Sequence, residues 1–129
     1  TGPSDLLAGI TWGSASAESA NAIEVTGTIA DLDGAALSTS TLDVKVIVTD
    51  GINDAEPSAT ATLDAAAAPI GTVLAGAGTA TLTIRSASGS FRVKCTETAA
   101  ATRYLWISEA GNRRIWGRVL SDVKDLVFT

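Results

Sequence analysis

Histidine and methionine are absent from the sequence, and cysteine occurs once, at Cys95. Without an imidazole, serine and cysteine triads lack their usual base and zinc catalysis lacks its commonest ligand. A lone thiol cannot close an internal disulfide, which excludes an antibody-type cysteine pair and leaves Cys95 as a small buried hydrophobe. Aromatic rings are few: three Trp, two Phe and one Tyr among 129 residues. Much of the apolar fraction is alanine, so the large side chains must be concentrated in a few strands. No apolar run approaches the ~18 residues of a membrane-spanning helix. Nor does a basic region followed by an apolar segment open the chain. A soluble chain with no membrane partner is expected.

Basic residues are scarce in the first two thirds. Before Arg85, Lys45 stands alone against ten acidic residues; from Arg85 onward, eight bases face four acids, for a net charge of −5 overall. Such a balance opposes binding to a phosphate backbone, so no nucleic-acid partner is expected. It suits contacts in which unlike surfaces meet. The length is that of one ordinary domain, able to bury roughly two thirds of the surface of its unfolded form.

What is present is a succession of short alternating runs. In "IEVTGTIADLDG", Ile23, Val25, Gly27 and Ile29 fall on one face and Glu24, Thr26 and Thr28 on the other, before an Asp33-Gly34 turn. In "TLDVKVIVTDG", Leu42, Val44, Val46 and Val48 share a face, and Asp50-Gly51 ends the run. Period two closed by a turn signal predicts half-buried strands. "SATATL" is a weaker strand with Ala59, Ala61 and Leu63 inward, at an edge or where two sheets approach closely. Pro69, Gly71 and the glycine-rich end of "DAAAAPIGTVLAGAG" forbid a long helix, leaving a helical turn or loop and a short strand from Thr72 to Ala75.

Leu82 and Ile84 then point inward, as do Phe91, Val93 and Cys95 after a turn at Gly89. "TRYLWIS" is apolar on both faces, Tyr104 and Trp106 against Leu105 and Ile107. A strand of that kind is either covered on both sides or exposed for a partner. A Gly-Asn turn, a return strand "RIWGRVL" and a last strand at Val127 and Phe128 follow. The fold class is all-β, an antiparallel β-sandwich of immunoglobulin-like type, with an N-terminal arm over residues 1–22 and one domain over 23–129. Val25, Ile29, Val44, Val46, Phe91, Val93 and Cys95 form the expected core.

Chemistry is sparse. Asp31, Asp33 and Gly34 resemble the start of a calcium loop, with Asp50, Asn53, Asp54 and Glu56 as further oxygens, but residues 36–41 carry no acid where ligands should continue. Aspartate is a good turn residue, and solvated turns are the favoured account of these positions. No phosphate-loop pattern occurs, and no carboxylate pair is framed by an aromatic pocket. No catalytic residue, metal or cofactor is therefore expected. The remaining cluster is basic and aromatic: Arg103, Trp106, Arg113, Arg114, Trp116 and Arg118, with Tyr104 among them. Such rings can fill a core, bind a protein partner, or stack on single-stranded nucleic acid or sugar. With Trp12 of the arm, they are the candidate interface residues.

Several of these positions share a pattern. Glu18, Ala20, Asn21, Ile23 and Val25, then Asp31, Asp33 and Gly34, then Gly89, Phe91, Val93, Thr96 and Glu97, then Tyr104, Leu105, Gly111 and Asn112 resemble the small immunoglobulin-like domains of tailed-phage and prophage virion proteins. The resemblance covers roughly residues 15–119. It departs in the alanine-rich stretch Asp64–Gly78, and the tail Leu120–Thr129 has no counterpart. It implies a non-enzymatic structural role in a phage particle, as a capsid decoration protein or a tail or fibre module, without choosing between them; the expectation taken is a decoration protein on the virion surface, held by the major capsid protein or other virion proteins and able to form a homo-oligomer. The alternative is a tail or fibre module, or an adhesin-like domain for a host glycan or receptor.

Overall fold

The computed structural model describes residues 9–30, 36, 41–52, 56–109, 115–116 and 123–129, with backbone alone at 9, 10, 108, 109, 115 and 116. The strands among them are β1 (Gly9–Trp12), β2 (Ala22–Ala30), β3 (Asp43–Thr49), β4 (Thr62–Ala65) and β5 (Thr72–Ala75). The second half adds β6 (Thr81–Arg85), β7 (Ser90–Thr96), β8 (Thr102–Glu109), β9 (Ile115–Trp116) and β10 (Lys124–Val127). All strand pairs are antiparallel. One sheet runs β1-β2-β7-β4; the other runs β10-β8-β3-β6-β5, with β9 also on β8.

Alternation explains the packing. Along β2 and β7 every second residue is buried, and opposed pairs such as Val25 with Val93 and Ile23 with Cys95 put those residues on one face. That face meets Val44, Val46 and Val48 of β3, Leu82 and Ile84 of β6, Leu105 and Ile107 of β8, and Leu126 in a single core. The seven expected core residues, Val25, Ile29, Val44, Val46, Phe91, Val93 and Cys95, each have 0% exposure.

The sheets β1-β2-β7-β4 and β10-β8-β3 reproduce the ABED and GFC sheets of an immunoglobulin constant-type sandwich, in the same chain order. The hairpin β5–β6 is an insertion between the fourth and fifth strands of that frame, joining the second sheet along β3. Its tip reaches the first sheet: Leu63 of β4 donates its N–H to Thr79 O at 2.8 Å and accepts from Gly78 N at 2.8 Å.

Three expectations need correction. The arm over residues 1–22 is, from Gly9 onward, half of a hairpin with β2, so the sheet begins well before Ile23. Its turn is Ser19–Ala22, closed by reciprocal backbone bonds of 2.9 and 3.0 Å, with Ala20 and Asn21 at φ 52° and 65°. Positive φ at both central residues is the type I′ geometry that matches strand twist. Second, Ala59 is exposed, because Ser58 is the buried residue there. The Ser58 hydroxyl accepts N–H groups from Thr60 and Ala61, which makes a turn of that segment, and β4 starts only at Thr62. Third, the last strand is Lys124–Val127 and not one at Val127 and Phe128; around it Leu126 and Phe128 are buried and Val127 is exposed.

Gly27 is required by an aromatic ring. It lies opposite both Phe91 and Trp12 in the ladder, and a Cβ there would sit 2.5 Å from the tip of the Phe91 ring. Phe91 in turn receives Trp12 edge-to-face, with centroids 5.8 Å apart and planes at 84°. Gly27→Ala is expected to destabilise the domain by ~1–3 kcal/mol through overpacking. Urea unfolding followed by Trp fluorescence measures this; an unchanged midpoint would refute the placement of the ring.

Candidate functional site

The residues expected at one surface are divided between the two sheets. Trp12 is partly buried and packs inward against the core from β1. Trp106 contradicts the interface expectation: it is 1% exposed and donates its indole N–H to Thr49 Oγ1 at 3.0 Å. Ile47, opposite it in the ladder, is also buried, so the outer face of β8 is covered at Trp106, while Tyr104 on the same face is half-buried. Arg113, Arg114 and Arg118 lie outside the described residues, and of Trp116 only the backbone in β9 is described.

Arg103 is engaged in a polar network at one pole of the sandwich. Its Nε lies 3.3 Å from Asp50 Oδ1 and 3.4 Å from Glu97 Oε2, with its side chain only 14% exposed. Glu97, at 2% exposure, follows the end of β7. Thr60 Oγ1 donates to its Oε2 at 2.7 Å, and Ala99 N donates to its Oε1 at 3.1 Å. Ser58 donates to Asp50, and Asn21 O accepts the Glu97 N–H at 3.0 Å. The network therefore ties the first hairpin, the ends of β3 and β7, and the start of β8.

Burial pushes the Glu97 carboxyl up, but the hydrogen bonds from Thr60, Ala99 and Arg103 and the charge of Arg103 outweigh it, leaving it below the usual 4.5. Cys95, two residues earlier, is moved to about 12 by burial and then by the neighbouring Glu97 charge. Its thiol stays protonated and suited to packing rather than attack. In the sequence Glu97 stands out only within the resembling pattern, although its burial was signalled: residues 91, 93 and 95 point inward, so 97 shares their parity, and a carboxylate there demands partners.

The outer face of the first sheet carries an open groove of about 360 Å³ lined by Ser16, Ser19, Ala20, Ala22, Glu24, Lys94 and Thr96, with Ala17 at its rim. Glu24 Oε2 accepts Ala67 N at 2.9 Å, and Oε1 accepts Arg92 Nε at 3.1 Å. The Ala67 N–H lowers the Glu24 pKa most; burial opposes it, and Arg92 and Lys94 assist. Lys94 faces Glu24 and Asp64 across the ladder, so acids and bases alternate along this wall. The groove offers hydroxyls, methyl groups and balanced charge, a surface able to hold a small polar ligand.

Of the acidic loops, Asp31, Asp33, Gly34, Asn53 and Asp54 lie outside the described residues. Among those described, no three His, Cys, Asp or Glu side chains come together as a metal site requires. Every buried side-chain nitrogen and oxygen among them has a hydrogen-bond partner.

No family model and no curated protein sequence matches this chain. Solved structures do. β-Glucuronidase of Parabacteroides merdae, in two crystal structures, one with glycerol in its active site, aligns with TM-score 0.57 and 10% identity. The alignment covers 95% of this chain and 12% of the glucuronidase, so this chain corresponds to a small part of that enzyme. The reeler domain of human F-spondin aligns with TM-score 0.54 and 13% identity over 97% of this chain and 95% of the domain. At such identity the likeness is one of fold, and it agrees with the β-sandwich described above.

Two outcomes are expected here. Because the folded-state pKa of Glu97 is depressed, its stabilisation is complete above the ordinary carboxylate value and is lost as the pH falls through the lower folded value. Glu97→Gln should cost ~1–3 kcal/mol at pH 7, and the gap from wild type should shrink below about pH 4.5; a pH-independent gap in thermal melts would refute the ionised clamp. Cys95 should resist a thiol reagent in the native protein and react fully in denaturant, read by thiol titration.

Proposed function

We propose that this chain is a non-enzymatic structural protein of a phage particle, a capsid decoration protein that presents an immunoglobulin-like sandwich on the virion surface and attaches through the major capsid protein. One observation supports the reading. The positions that resemble phage virion immunoglobulin-like domains are the ones that hold this sandwich's frame. Ala20 and Asn21 form the first turn, and Asn21 O receives the Glu97 N–H. Glu18 accepts both the N–H and the hydroxyl of Thr129. Gly89, with φ 78°, forms a second tight turn with Ser88 between reciprocally bonded Ala87 and Ser90. Glu97 anchors the pole through Thr60 and Arg103. At these described places the resembling positions are structural ones, as the reading requires.

Buried framework residues leave attachment to loops and edges, which is why Arg113 and Arg114, which follow the Gly-Asn pair in the sequence, are kept as the candidate contact. A second reading, an adhesin-like or fibre module for a host glycan, draws on the polar groove beside Lys94. Purified protein added to undecorated particles of the parent virus should bind saturably, and R113E/R114E should reduce that binding at least tenfold while leaving the melting temperature unchanged. Absence of binding to particles, together with binding to host cells that is lost in Lys94→Gln, would replace the decoration reading with the glycan one.

A further inference from the structure

Lys94 is flanked by two acids and paired with neither. It lies between Glu24 and Asp64 in the ladder, but no ion pair or hydrogen bond among the described residues engages its ammonium group. Both carboxylates are committed elsewhere. Glu24 accepts from Ala67 N at 2.9 Å and from Arg92 Nε at 3.1 Å, and Asp64 Oδ1 takes the Ala65 N–H at 2.7 Å. A half-buried cation beside acids that face other donors is left for an anion from outside the chain.

The groove that Lys94 lines supplies further contacts. Ser19 and Thr96 bring hydroxyls to it that have no partner among the described residues, and each hydroxyl can donate and accept. Ser16 is held in place by the Glu24 N–H, which its Oγ accepts at 2.9 Å. The methyl groups of Ala20 and Ala22 complete the wall. Hydroxyls interspersed with methyls suit a sugar ring, which presents both kinds of group. The groove's volume of about 360 Å³ falls within the ~300–1,000 Å³ of small-molecule sites.

Charge narrows the class of ligand. No aromatic ring lines the groove, so a neutral sugar has no platform to stack on. A phosphate dianion would meet a single ammonium with Glu24 and Asp64 alongside, and their repulsion disfavours it. A carboxylate monoanion on a hydroxyl-bearing ring meets both conditions. We infer that this groove binds an acidic saccharide, its carboxylate on Lys94 and its hydroxyls on Ser19 and Thr96. This site rests on the glycan reading of the groove and adds the class of ligand; capsid attachment plays no part in it.

Amide shifts of the ¹⁵N-labelled protein provide the test, with galacturonate as the probe and galactose and acetate as controls. Galacturonate should move the amides of Ser19, Ala20, Lys94 and Thr96 saturably, and either control should bind about tenfold more weakly or worse. Lys94→Gln should weaken galacturonate binding by a similar factor, whereas Lys94→Arg, which keeps the charge, should retain most of it. Both variants should keep the wild-type melting temperature. No saturable shift with galacturonate would overturn the inference, as would equal affinity for galactose or acetate, or full binding by Lys94→Gln. Galacturonate binding without host-cell binding would end the adhesin reading and leave the saccharide site standing. Host-cell binding with the groove amides unmoved by galacturonate would end the saccharide site alone.

Discussion

A carboxylate set in an inward row of side chains governs the architecture at one pole of this protein. Glu97 continues the buried parity of Phe91, Val93 and Cys95, and it stays ionised only because hydroxyl, amide and guanidinium groups surround it. An unpaired buried charge would be strongly destabilising. Thr60, Ala99 and Arg103 are therefore fixed relative to one another, and Asp50 is drawn in through Arg103. Asp50 and Thr60 lie in the connection from β3 to β4, Ala99 in that from β7 to β8, and Arg103 at the start of β8. The loops at that end are thus determined by a charge requirement, whereas the middle is determined by shape.

The middle was the legible part. Strict alternation in β2, β3, β6 and β7 identified the inward residues, and flanking glycines bounded β5 at Thr72 and Ala75. Residues 9–22 were illegible as a hairpin for two reasons. The turn uses Ala20 and Asn21 where glycine is the usual signal. The leading strand also slips against β2, with Gly13 bonded to Thr26 but Ser16 to Glu24 and Ser19 to Ala22, so alternation does not survive along it. Trp106 was misplaced because its cover comes from Thr49 and Ile47, distant in sequence, and only the ladder reveals that they meet.

The same frame recurs in a part of a β-glucuronidase and in the reeler domain of human F-spondin at 10–13% identity. A sandwich of this type supplies two close-packed sheets and little else, and function is grafted on its edges and loops. Among the described residues, what this chain adds to the frame is the β5–β6 insertion and the groove on the outer face of the first sheet.

The insertion also makes the two flanks of the sandwich unequal. On the β4 side, backbone bonds from Leu63 to Gly78 and Thr79 join one sheet to the other. On the opposite flank, described backbone bonds do not bridge β1 and β10, and the link consists of Glu18 with Thr129 and apolar packing around Trp12 and Phe128. The domain is bound like a book, with a sewn spine along β4 and the β5–β6 tip and a clasp along the other edge. Breathing of the native state would begin at the clasp, so amide protons of β1 would exchange ahead of those of β4, and the interior would first meet solvent beside Trp12.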